Sequence, residues 1–229
     1  MNFPFRKIDG VVDYVQHDGV ARGREWFSMH RYAGGRVFRA CCQMNQEALI
    51  RDATWTMDDA WRPLDGHVRV ILDSKIIGST WYAFDGNSVR CEARTSAHGH
   101  VSQTQISDRP YEFLGLHPLL ADGLLGAARG RTDPGRERFI RSITCSYSQN
   151  GETELLALPI DIGVAYLGDE QLSVPAGTFM ASRYAVRWRP EWAPADYWVF
   201  GDDYVFLKSD WAVSSLTCEL VSLVSSDEG

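Results

Sequence analysis

The sequence predicts an all-β protein: a single curved antiparallel sheet or barrel of more than ten strands around a hydrophobic cavity, formed by residues 1–229 as one domain. Three observations carry this. Apolar and polar residues alternate with period two in short runs, the runs are broken by Gly, Asn and Asp at roughly ten-residue spacing, and helical periodicity is confined to one stretch.

The elements follow in chain order. Residues 24–32 alternate, Ala33-Gly34-Gly35 turns the chain, and residues 36–46 carry Phe38, Ala40, Cys42 and Met44 on one face and Arg39, Gln43 and Asn45 on the other, so the two runs read as a hairpin. Strand-like runs continue at 48–57, 67–72, 75–84, 88–96 and 100–107, joined by Asp65-Gly66, Asp85-Gly86-Asn87 and His98-Gly99, which supply the positive-φ positions of tight turns. Between Pro110 and Arg131 the leucines fall at mixed spacings of three and four, interrupted by Pro118 and several glycines. This is the one short helical segment, placed to cover the mouth of a curved sheet. The second half reads as runs at 138–149, 152–158, 164–167, 171–174, 179–189, 204–210 and 214–224, with Asn150-Gly151 as the strongest hairpin signal.

Composition excludes several classes. With 23 Lys+Arg against 30 Asp+Glu the net charge is −7, the wrong balance for a nucleic-acid binder. No apolar run reaches the ~18 residues of a membrane helix, and residues 1–10 lack the apolar core of a secretory signal, which points to the cytoplasm. The five cysteines are odd in number and sit inside strand-like runs, so they read as reduced buried thiols. Among the six histidines only His98 and His100 are close in sequence, and no ligand spacing for a metal appears. Nucleophile elbows and phosphate loops are absent too, leaving no expected cofactor.

What remains is acid–base chemistry in a cavity. His30, Tyr32, Arg39, Arg141, Tyr184 and Lys208 are polar residues in otherwise apolar strands, able to move a proton or hold an anion. Arg141 shares a face with Phe139, Ile143, Cys145 and Tyr147, opposite the wet row Ser142, Thr144, Ser146 and Ser148; it either faces the cavity or reaches solvent along its stem. Tyr184 points inward with Ser182, Val186 and Trp188, as a proton donor or as a core tyrosine. Eight tryptophans supply wall area, and Trp26, Trp81, Tyr147, Trp188, Trp192, Tyr197 and Trp198 are the expected ligand contacts. Residues 188–198, with Pro190 and Pro194, read as a Trp-rich loop that closes the mouth as a lid or a plug.

At Val174-Pro175-Ala176-Gly177-Thr178-Phe179 the chain resembles an uncharacterised bacterial β-barrel family, itself similar to lipoprotein-carrier and lipid-binding half-barrels. There the turn joins two antiparallel strands and is followed by a Tyr-Trp pair and a Lys-containing strand, as with Tyr197-Trp198 and Lys208. The resemblance covers residues 171–223 and implies a curved sheet around a hydrophobic cavity with a helix in its concave side. Such families are commonly exported. The resulting expectation is a cofactor-independent lyase, isomerase or hydratase acting on a hydrophobic aromatic, terpenoid or polyketide molecule, with homodimerisation left open; the alternatives are a non-catalytic lipid or hydrophobic-ligand binder, and a filled module without a cavity.

Overall fold

The computed structural model describes residues 5–228. Eight strands form the first half: β1 Phe5–Gln16, β2 Ala21–Tyr32, β3 Gly35–Met44, β4 Leu49–Asp58, β5 Pro63–Leu72, β6 Lys75–Asp85, β7 Ser88–Thr95 and β8 Gly99–Ile106. Then come β9 Phe113–Gly115 and two single-turn helices, α1 Leu119–Gly123 and α2 Leu125–Arg129. The second half is β10 Glu137–Thr144, β11 Leu158–Val174, β12 Gly177–Arg187, β13 Ala195–Phe200, β14 Val205–Trp211 and β15 Leu216–Glu228.

All fifteen strands belong to one mainly antiparallel, β-barrel-like sheet, in the order β8 through β1, then β15 through β9. Only β9 and β10 run parallel. The first and last strands therefore meet in the middle of the sheet, where β1 pairs with β15. Among the described residues the two sheet edges, β8 and β9, do not pair with each other, and the sheet rolls up as a spiral. Its β9 lies against β5, where a Cβ on Gly66 would come within 2.4 Å of Leu114 Cδ2, so a larger residue there would have to displace the Leu114 side chain. Beyond this closure β6–β8 overlap the outside of residues 145–157. Thr80 Oγ1 donates to the Leu155 carbonyl at 2.6 Å, Tyr82 Oη to Leu156 at 3.0 Å, and the Gln103 and Gln105 amides clasp both backbone groups of Ala157 at 3.0 and 3.1 Å.

Alternation explains the interior. In β3 the residues Phe38, Ala40, Cys42 and Met44 are buried, and Phe38 stacks on Trp55 of β4 with 5.1 Å between ring centres. The helical segment fills the concave side: Leu120, Leu124 and Leu125 are fully enclosed, each contributing at most about 2 kcal/mol of apolar burial. Helix α1 rests on β13 and β14, and α2 on β10 and β11.

Several expectations change. The strand β1 was not visible as a run, because Asp9, Gly10 and Asp13 interrupt its alternation. Residues 152–157 form no strand, and Asn150-Gly151 is a turn within an irregular loop rather than a hairpin. Strands at 164–167 and 171–174 are one long β11, bulged at Leu167. Residues 195–200 are β13, since both prolines precede it, so the loop is only 188–194. Strand β10 has the opposite phase: Ile140, Ser142, Thr144 and Ser146 face the interior, while Phe139 is exposed and Arg141 pairs with Asp161 at 3.1 Å on the outer face. The Val174–Gly177 turn does join two antiparallel strands, with Gly177 at φ 144°.

Candidate functional site

One end of the spiral opens into a cleft of about 110 Å³. Register builds its floor. On the inner face Arg51 of β4 stands beside Cys42 of β3, which stands beside Glu25 of β2. On the other side Tyr14 of β1 is followed across the strands by Cys218, Ser209 and Tyr197. These residues form a polar belt one residue deep inside an otherwise apolar wall.

Glu25 is fully buried and saturated. Its carboxylate accepts from Tyr14 Oη at 2.7 Å, Cys42 Sγ at 3.2 Å, and the backbone N–H groups of Leu119 and Leu120 at 2.8 and 3.0 Å. It thus fastens the first turn of α1, whose amides have no partners within the helix, to the sheet. Asp122, in the same turn, accepts from Tyr197 Oη at 3.3 Å. Burial, reinforced by the Glu25 carboxylate, pushes the Asp122 carboxyl up to about 8, so it is largely protonated at neutral pH.

Arg51 is buried at 2% exposure. It donates to the carbonyls of His117, at 3.3 Å, and Asn150. Its Nε meets no oxygen acceptor, and it makes no ion pair among the described residues. His117 has a positive φ of 70° and places its Nε2 3.3 Å from Thr144 Oγ1. Burial and then the Arg51 charge lower its pKa to about 3, leaving a neutral imidazole. Gly151 is what admits both side chains: at φ 65°, a Cβ there would meet His117 Cγ at 2.5 Å and Arg51 Nη2 at 2.9 Å. The Asn-Gly pair is thus a cover over the floor.

The mouth is aromatic. Trp188 packs edge-on to Tyr197, and Trp192 lies 5.4 Å from Trp211. Arg189 sits over the rings of Tyr147 and Trp192 and donates to the Tyr147 carbonyl at 3.0 Å, joining the 188–194 loop to the 145–157 loop. Glu154 holds the second loop by accepting from Ser146 Oγ and the Tyr147 amide.

Of the expected ligand contacts, Tyr147, Trp188, Trp192 and Tyr197 line this cleft. Trp26 and Trp81 stand on the outer face because their phase is opposite to Phe27 and Tyr82, and Trp198 faces away, beneath Arg183. None of the six expected acid–base residues borders the cleft. His30 and Tyr32 lie out of phase with inward Met29, and Arg39 lies beside Trp26 at a shallow outer groove. Lys208 pairs with Glu219 at 2.8 Å, and Arg141 is tied to Asp161. Tyr184 is inward and buried, but packs on Tyr166 and against Gly126 in α2. Arg51 shares a face with Ala53, Trp55 and Met57, and Glu25 with Phe27 and Met29, so phase alone could have found both. His117 and Asp122 carry no such signal, since only the tertiary fold brings the helical segment to the floor. No group of three or more His, Cys, Asp or Glu among the described residues forms a metal-ligand set.

No family model matches the chain, and no curated protein matches it in sequence. In structure it is similar to a beta-barrel-like protein of the domain of unknown function DUF1849 from Brucella abortus, at 10% identity and a TM-score of 0.55 over 98% of each chain. A DUF1089-family protein from Pseudomonas aeruginosa aligns at 10% identity and TM-score 0.46 over 82% of this chain and 88% of that one. A protein with a YmcC-like fold from Bacteroides fragilis aligns at 9% identity and TM-score 0.33 over 96% and 95%. The first of these likenesses supports the β-barrel-like fold and goes no further.

Proposed function

We propose that the protein binds a hydrophobic small molecule in the cleft, between the tryptophans of the mouth and the polar belt of the floor. The observation that carries this is the combination itself: an apolar, aromatic entrance leading to a few convergent polar groups is the usual make-up of a small-molecule site. The residues first expected to do acid–base work stand elsewhere, and most polar groups of the floor are engaged with the protein's own backbone and side chains, which favours holding a ligand over transforming it.

A second reading has its own support. Asp122 and Tyr197 are joined at 3.3 Å at the cleft wall, and a carboxyl with a pKa near 8 suits general acid–base catalysis around neutral pH. That pair would serve a cofactor-independent lyase, isomerase or hydratase. Incubating the protein with aromatic, terpenoid and fatty compounds, then following retention and conversion by mass spectrometry, separates the two. Retention without conversion supports binding; turnover abolished in Tyr197→Phe supports the enzyme, and neither retention nor turnover refutes both.

A further inference from the structure

We propose that the cleft selects an amphipathic monocarboxylate, its carboxylate seated on Arg51 at the floor and its apolar part among Trp188, Trp192 and Trp211 at the mouth. This rests on the ligand-binding reading above and adds the chemistry of the head group.

A buried guanidinium is ordinarily matched by a carboxylate, because removing an unpaired cation from water is costly. Arg51 has two main-chain carbonyls instead, which offer dipoles but no charge, and beside it the Cys42 thiol, which burial keeps neutral; its Nε meets no oxygen acceptor. Neither nearby carboxyl serves it. Glu25 is two strands away across Cys42, and its oxygens already accept four hydrogen bonds. Asp122 is held protonated by burial beside Glu25, so around neutral pH it has an O–H to give rather than a charge. His117 is neutral. The cleft lining thus carries one buried cation that the protein does not pair, Arg51, which suits one negative charge. A phosphate dianion would need more positive charge than this floor supplies. Planar carboxylates fit a guanidinium, whose donors lie in one plane.

The same groups set a pH limit. The titratable and charged side chains facing Asp122 are Glu25 from β2, Arg51 from β4, Tyr197 from β13, Cys145 after β10 and Cys218 from β15, with Tyr14, His117 and Arg189 along the same cleft. Burial keeps the thiols and phenols among them neutral beyond pH 9. The change nearest neutrality is therefore ionisation of Asp122 itself, which replaces a donor by a like charge beside the ligand.

The test measures affinity of the whole chain, by calorimetry, for dodecanoate and 4-phenylbutyrate, each against its matching alcohol. At pH 7 at least one carboxylate is expected to bind tenfold or more tightly than its alcohol, and Arg51→Met is expected to abolish that preference. Equal binding of acid and alcohol overturns the head-group assignment while leaving the binding reading intact; binding of none of the four removes both. Should Arg51→Met fail to fold, pH decides: carboxylate affinity of the unaltered protein is expected to fall about tenfold between pH 7 and 9.5. The alcohol's affinity stays level. In Asp122→Asn the pH dependence disappears, whatever the affinity at pH 7, and a carboxylate affinity in the unaltered protein that is flat across this range overturns the seating beside Asp122.

Discussion

Two buried arginines on neighbouring strands end in opposite circumstances. Arg36 begins β3 and Arg51 lies in β4, registered with Cys42 at the far end of β3, about 20 Å away along the strand. Arg36 lies 3.8 Å from the centre of the Trp61 ring, with Asp59 and Asp203 at 3.8 and 4.0 Å, and donates to the Asp58 carbonyl. Trp61 in turn packs edge-on against Tyr204, so that end of the spiral is sealed by aromatic and ionic contacts. Arg51 has neither an aromatic lid nor a carboxylate partner. Burial of a charge is therefore not by itself a sign of function: what distinguishes the two ends is whether the protein supplies the counter-charge.

Removing each cation in turn is expected to have the largest effects. Arg36→Met loses the Trp61 ring contact and the weaker of two cations at Asp203, which keeps Arg6 at 2.7 Å, and is expected to lower stability by about 2 kcal/mol in urea unfolding. Arg51→Met leaves only two carbonyls without a donor and relieves an unpaired charge, for a loss of about 1 kcal/mol. Equal losses would erase the distinction between the ends.

Next comes pH. Asp122 holds its proton more tightly when folded, so its contribution is complete below the ordinary carboxyl range and falls away as pH rises toward about 8. His117 acts in the opposite direction, adding stability as pH rises from about 3 to the ordinary imidazole value near 6.5. The two slopes oppose each other between about pH 4 and 6.5, after which Asp122 acts alone and stability is expected to drop by at most about 2 kcal/mol by pH 8. Denaturant midpoints across this window check it, and Asp122→Asn should flatten the fall.

At the mouth, Trp192→Ala removes ring contacts with Trp211 and Arg189, and is expected to weaken ligand binding by about 1 kcal/mol with little effect on unfolding. The smallest effects belong to the outer face. Lys208→Ala and His30→Ala should each change stability by less than about 0.5 kcal/mol and leave ligand affinity unchanged in the same titration.

The antiparallel architecture and the helical insert were legible because both rest on periodicity, which local sequence carries. Phase was harder. In and just after β10 the polar residues Thr144 and Ser146 look outward by composition, yet they line the cleft and Ser142 is fully buried, while Ile143 and Cys145 of the alternate row are fully buried as well. A second layer makes hydrophobicity a poor guide to which side is inside. Asn150-Gly151 misled for a related reason: its glycine meets the needs of a turn and of close approach to His117, and sequence distinguishes neither from a hairpin. At the site, Tyr147, Trp188, Trp192 and Tyr197 stood out as aromatic side chains in polar surroundings, whereas Asp122 reached the floor only through α1, anchored there by Glu25.

The pairing of β1 with β15 has a consequence for how the molecule is made. Strands β2 to β8 join consecutive neighbours, as do β10 to β15, so each meander can assemble from nearby segments. The join between them brings together positions about two hundred residues apart, such as Val15 and Thr217, and loop closure of that length is slow. Until β15 docks, both meanders expose an unpaired edge at what becomes the centre of the sheet. An interrupted or crowded folding reaction would then have a ready alternative, in which β1 of one molecule accepts β15 of another and yields a strand-exchanged dimer.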